Sequence, residues 1–203
     1  MDITIKEIHK KDHHRARQFA ISGMHLSWYT SSRLHLFLYI QHYWNYELLH
    51  ATHLVGAYSD DKLSGVLIAK MDDRPAICSS IFRKIFVAIL EWVISKLYGH
   101  SGEELDSLNM EMLQENPHCS QFDGEITFFT VDPETKGAGI GSLLLKELEN
   151  REKGKKIYLF TDTGSTFQFY QKRGFQEAGK KRVHLKIGSR TLDVTSYLFW
   201  KRL

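Results

Sequence analysis

The sequence predicts one mixed α/β layer structure, and three stretches lead to that reading. "MDITIKEIHK" sets Ile3, Ile5 and Ile8 against charged residues, the two-residue period of a half-buried strand. "GEITFFTVDPETKGAGIGSLLLKELEN" passes from a strand through a glycine-rich turn straight into an amphipathic run. Residues 176–187 and 190–201 read as two closing strands. Strand and helix signals interleave along the chain, as in a layered α/β domain and unlike segregated all-α and all-β units. A length of 203 residues suits one domain over 1–203 that buries its core without staples.

Residues 2–8 form the first expected strand and 12–23 the first helix, ending near Gly23. A loop follows, and a second helix starts with Ser31 or Ser32 as its cap. "THLVGAYSDDKLSGVLIAKMDD" reads as two strands joined by a turn at Asp60-Asp61. Residues 74–120 break the rhythm, with an apolar helix at 79–101 and then an acidic, turn-rich piece, "GEELDSLNMEMLQENPHCS". After this insertion come a strand, a helix at 139–152, the strand "KKIYLF", a short helix near 166–172 and the closing strands.

Charge is close to balanced, 27 basic against 24 acidic residues, which does not suggest a nucleic-acid partner. The basic stretch "KRGFQEAGKKR" reads as a solvated face. Cys78 and Cys119 have no pairing logic, which fits a reducing, cytoplasmic setting. His118 beside Cys119 lacks a second ligand pair, so no metal is expected. The N-terminus lacks the basic start and apolar run of a signal peptide. The apolar helix has the length of a membrane span, but it carries Arg83, Lys84, Glu91 and Lys96. A mid-span Glu91 would be costly in lipid, so a helix buried or covered by a partner is expected.

Glycines between a strand and a helix let backbone N–H groups converge on an anion, and the helix N-terminus favours negative charge. Gly139 and Gly141 would let a ligand approach the backbone closely. Ile140, Leu143, Leu144 and Leu148 share one stripe of the helix that follows. Gly141 is followed by Ser142-Leu143 instead of Lys-Ser/Thr, which excludes a P-loop. A dinucleotide fingerprint fits Gly137, Gly139 and a downstream Asp162, yet "DPETK" intervenes between strand and glycine, and too little chain follows for a doubly wound sheet. A purely structural glycine turn remains the bland alternative.

"TVDPETKGAGIGSLLL" resembles motif A of the GNAT N-acetyltransferases, Arg/Gln-x-x-Gly-x-Gly/Ala, at Lys136, Gly137, Ala138, Gly139, Ile140 and Gly141. Lys136 departs from the usual Arg or Gln, keeping the charge without the guanidinium fork. "STFQFYQKRGFQEAG" resembles the family's FYxKxGF motif at Phe169, Tyr170, Lys172, Gly174 and Phe175. The resemblance covers the chain except about 74–120 and implies the acyl-CoA N-acyltransferase fold, a mixed, mostly antiparallel sheet flanked by helices. It also implies acetyl-CoA as co-substrate, with its diphosphate on N–H groups from Lys136 to Ser142 and its pantetheine arm along "EITFFTV". It places the backbone of Val131 near the thioester and the phenol of Tyr170 at the sulfur, as proton donor to the leaving thiolate.

Some family members carry a catalytic glutamate at the position of Glu125, where partial burial would raise its pKa. It stands six residues before Val131, and even spacing on a strand puts both side chains on one face. Asp123, or a water chain, is the competitor as base. The acceptor region holds many aromatics; Trp28 and Tyr29 are the expected substrate contacts, and Tyr39, Tyr43 and Tyr46 follow helical spacing. Glu47 stands nearly alone as an acid there, so the acceptor is open beyond a small-molecule or peptide amine. The insertion is expected to add a helical layer that takes part in self-association. The expected activity is direct acetyl transfer to a primary amine in a ternary complex; the alternative is a catalytically weak acyl-CoA-binding or sensing module.

Overall fold

The computed structural model describes residues 2–23, 26, 30, 32–98, 103–117, 121–135, 137–187 and 190–203. The elements run β1 (Ile3–Glu7), α1 (His13–Gly23), α2 (Arg33–His50), β2 (His53–Ser59), β3 (Lys62–Met71), α3 (Ile81–Tyr98) and α4 (Glu103–Glu115). They continue with β4 (Gly124–Val131), α5 (Ile140–Arg151), β5 (Lys156–Asp162), α6 (Gln168–Lys172), β6 (Gln176–Ile187) and β7 (Arg190–Arg202). Local chemistry accounts for several of these bounds. Ser32 caps α2, its Oγ accepting from the His35 N–H at 3.2 Å. Asp60 and Asp61 both take positive φ, 48° and 62°, the backbone that a two-residue hairpin between β2 and β3 demands.

Seven strands form one sheet in the order β1-β2-β3-β4-β5-β7-β6. All neighbours are antiparallel except β4 and β5. On one face α1 and α2 cover Ile68 and Phe128 with Phe19, Ile40, Trp44 and Leu48. On the other, Leu144 and Leu148 of α5 pack on Ile157, Leu159 and Phe199, and the α6 region adds Phe169 and Tyr170. The stripe of α5 is Ile140, Leu144, Leu145 and Leu148; Leu143, expected in it, is exposed, because the helix turns about 100° per residue and Leu145 takes that place. At the far end of α5, Glu152 is buried and lies 3.0 Å from His53 Nε2, 3.2 Å from Arg74 Nε and 2.7 Å from Lys155 Nζ.

The insertion departs from expectation in one respect. Residues 103–115, read as turn-rich, are the helix α4. Leu105, Leu108 and Met112 recur at helical spacing and pack toward Val183, Val194 and Gly179, while Asn109 Oδ1 accepts from Ser196 Oγ at 2.6 Å. Glu111 and Glu115, one turn apart, both reach Lys181, at 3.1 and 2.9 Å, so the basic stretch of β6 and the acids of α4 are partners. The apolar helix α3 packs on α2 but buries only Val87 and Leu90; most of its large apolar side chains are exposed. Among the described residues, no helix is long and apolar enough to cross a membrane.

Candidate active site

β4 and β5 lie side by side only at their starts. Gly124 pairs with Ile157 and Glu125 with Tyr158, and the parallel register ends there. β4 stays paired to β3 as far as Val131, and β5 to β7 as far as Asp162. The sheet therefore splays open beyond Glu125. The Asp132 N–H is bonded to Ser64 O at 2.8 Å, so strand alternation turns the Val131 N–H the other way, into the splay.

A β-bulge lies in the same strand. Ile68 pairs with Phe128 and Ala69 with Ile126, leaving Thr127 as the extra residue. The bulge resets the alternation. Ile126, Phe129 and Val131 pack on the α5 side, whereas Phe128 packs on the α2 side. Glu125 takes the face of Tyr158, whose hydroxyl donates to Glu125 Oε2 at 3.1 Å, opposite to the neighbouring Ile157 and Leu159. Glu125 and Val131 thus point to opposite faces, not to the shared face that even spacing predicts.

The glycine turn closes the end of the splay. Arg15 of α1 holds its first residue, Asp132, at 2.5 Å, and Asp132 Oδ1 accepts from the Glu134 N–H at 3.1 Å. Gly139 is the N-cap of α5, in the left-handed region with φ 77°. Among the described residues beyond its two chain neighbours, no atom lies within 4 Å of where its Cβ would stand, so the positive φ calls for glycine there. Gly141 is different: a Cβ there would come within 3.3 Å of the Phe169 ring. Within the expected N–H array, that of Ala138 is already bonded to Thr135 O at 3.1 Å and turns inward. Among the described residues, the first N–H groups of α5, at Ile140, Gly141 and Ser142, have no backbone carbonyl partner. Arg173 hydrogen-bonds Ser142 Oγ, bringing a guanidinium to that turn. Asp162, the residue a dinucleotide ribose would need, accepts instead from Gly164 N–H at 2.8 Å and Ser165 N–H at 3.1 Å in its own turn.

Tyr170 stands on the α5 side of the splay, its ring edge-on to Phe129 with centroids 6.1 Å apart and to Phe175 at 5.6 Å. Its hydroxyl has no hydrogen-bond partner among the described residues, and burial raises its pKa well above that of an ordinary phenol. It is protonated throughout the neutral range. On the α2 side, burial pushes Glu125 up to about 7, against the opposing Tyr158 hydroxyl and Lys70. Burial pushes Glu47 of α2 up to about 8; the Thr127 hydroxyl and Lys70 oppose the rise and the Glu125 carboxylate adds to it. Tyr43 donates to Thr127 O at 3.2 Å, at the bulge itself. Asp123, the competing base, is exposed and bonded to the Lys156 N–H at 2.7 Å.

Lys136, Trp28, Tyr29 and the His118-Cys119 pair lie outside the described residues. Three groups at the site were given no role from the sequence. Glu47 carried a signal, since it is the one acid on a largely aromatic helix. Tyr158 carried none, because its meeting with Glu125 depends on a parallel register between distant segments. Arg173 lay within a recognised motif at a position the motif leaves unspecified.

Residues 92–177 match the model of the acetyltransferase (GNAT) domain. This stretch, less than half of the chain, is similar to a GNAT acetyltransferase domain. The matched stretch holds the bulge, the splay, the glycine turn and Tyr170, so the GNAT match and the site coincide. Glu47 and Tyr43 lie before it. A 68-residue stretch is 35% identical to the N-alpha-acetyltransferase RimI of Mycobacterium tuberculosis, covering 32% of this chain and 43% of that relative. Among solved structures, a Corynebacterium glutamicum protein described as histone acetyltransferase HPA2 and related acetyltransferase is 16% identical, with a TM-score of 0.61 over 100% of this chain and 97% of the other. Arabidopsis thaliana Naa50, solved with the bisubstrate analogue CoA-Ac-MVNAL, is 14% identical, with a TM-score of 0.55 over the whole of both chains. At these identities the structural likeness is one of fold.

Proposed function

We propose that this chain moves the acetyl group of acetyl-CoA to a primary amine by direct attack within a ternary complex. The observation that carries the reading is the splay of β4 from β5, open at the glycine turn, with Tyr170 on one side and Glu125 on the other. The amides of β4 that face the gap suit an amide-rich arm laid alongside as an added strand. The N–H groups of Ile140, Gly141 and Ser142, with the helix dipole and Arg173, suit the diphosphate. Gly137 and Gly139 shape that turn through positive φ, and Ala138 supports it through its inward bond. Lys136 is proposed to add positive charge beside the diphosphate.

The acceptor arrives as an ammonium ion and must lose a proton before its nitrogen can attack. Glu125, with a pKa near 7, accepts that proton on the α2 side. The amine nitrogen forms the new C–N bond at the thioester carbon, and the Val131 N–H donates to the oxygen as charge develops there. The C–S bond breaks, Tyr170 donates a proton to the departing sulfur, and the second proton shed by the nitrogen as the amide forms returns to the Tyr170 oxygen through water. Donor and acceptor then enter from opposite faces of the sheet and meet in its gap. Support for a peptide or amine acceptor comes from the relatives: one is an N-alpha-acetyltransferase and one was solved with a peptide-bearing bisubstrate analogue. Trp28 and Tyr29 are proposed as acceptor contacts.

Release of free CoA thiol across a panel of N-terminal peptides and alkyl amines tests the reading. Turnover with at least one primary amine is expected, with kcat lowered about 100-fold by Tyr170→Phe and little change in KM for acetyl-CoA. Acetyl-CoA bound without turnover on any amine would instead make the chain an acyl-CoA-binding module.

A further inference from the structure

The outer face of α3 is unexplained by acetyl transfer. Phe82, Ile85, Ile89 and Trp92 form its ridge, 82%, 52%, 55% and 62% exposed. The exposed parts of seven large apolar side chains on this helix come to roughly 900 Å², beyond the ~300–600 Å² patch of a typical monomer and close to the ~800 Å² that each partner gives a stable interface. The charges around the ridge are sparse. Arg83 turns away to bond Cys78 O, and Lys96 stands at the far end. Lys84 and Glu91, two turns apart, share one flank, with exposed Ala88 between them.

We infer that this face binds a second copy of the chain, α3 against α3, antiparallel about a two-fold axis beside Val87 and Ala88. A two-fold contact brings a flank onto the same flank of its mate. With the axis there, Lys84 lies opposite Glu91 of the partner subunit and Glu91 opposite Lys84 of the partner subunit. Arg83 lies level with Trp92 of the partner subunit, and Ile85 and Ile89 fill the centre. Ala88 lets the two helices approach. A helix lying on a membrane would need a basic polar face exposed to the headgroups, whereas the side of α3 opposite its apolar ridge is packed on α2. The inference is independent of the acetyl-transfer reading.

Sedimentation velocity of the full chain at about 10 µM and physiological salt, near the middle of the micromolar range, tests it. The expected mass is twice the 23.6 kDa of one chain. Ile89→Glu should give a monomer with unchanged far-UV circular dichroism. Lys84→Glu and Glu91→Lys should each weaken the dimer tenfold or more, and the double swap should restore it. Should Ile89→Glu fail to fold, the exposed charge swaps still decide the matter. A wild-type monomer, a dimer indifferent to all these changes, or a double swap without recovery would overturn the inference. So would a wild-type monomer that sediments with phosphatidylserine vesicles.

Discussion

Glu125 and Glu47 are two carboxyls raised for the same reason, burial on the α2 side of the bulge, and they invite different tests. If Glu125 takes the amine proton, kcat/KM should rise with pH to a plateau above about 7. Glu125→Gln should remove that limb and lower the plateau about 100-fold, read from initial rates between pH 5.5 and 9. Glu47 is best read through stability. Its folded pKa of about 8 lies above the 4.5 of an ordinary glutamate, so the folded state holds more protons between those values. Stability from this group is then lost as pH rises from about 4.5 through about 8. Glu47→Gln should raise Tm by roughly 2–4 °C at pH 8.5 and change it little at pH 5, by scanning calorimetry.

At the scale of the element, β4, the glycine turn and α5 act as one device. The bulge at Thr127 sends Glu125 to one face and Val131 to the other, and the left-handed Gly139 starts a helix whose first amides face outward. Gly139→Ala should cost about 1 kcal/mol of stability through its positive φ and raise KM for acetyl-CoA several-fold, with kcat nearly unchanged. Most of this device was legible in the sequence, because strand alternation, glycine spacing and the stripe of α5 are local patterns. The bulge was not, since "EITFFTV" alternates no differently with or without it; only the register with β3 reveals it. Nor was α4 legible. Its stripe of Leu105, Leu108 and Met112 is thin, and it reads as helix only against the apolar surface of β6 and β7.

At the scale of the whole molecule, the sheet is open in the middle, where β4 and β5 pair only at their starts. Glu152 anchors one side, where α5 meets β2 and the chain after β3. Burial disfavours its charge, but Lys155, His53 and Arg74 outweigh that and hold its carboxyl below the usual range. A depressed folded pKa contributes stability that is present above the unfolded pKa and lost as pH falls through the folded one. Glu152→Gln should therefore cost about 3 kcal/mol at pH 7 and progressively less toward pH 3, by urea unfolding at each pH. The exposure of α3 was not legible in the sequence, because an apolar helix carries no mark of whether chain or partner covers it. Acetyl-CoA is proposed to occupy the gap between β4 and β5, with its diphosphate at the start of α5. Amide hydrogen exchange with and without saturating CoA tests it most directly. Protection should appear at Phe129–Val131 and Ile140–Ser142, with little change in β1, β2 or α3. Saturated CoA binding that protects neither segment would contradict the account.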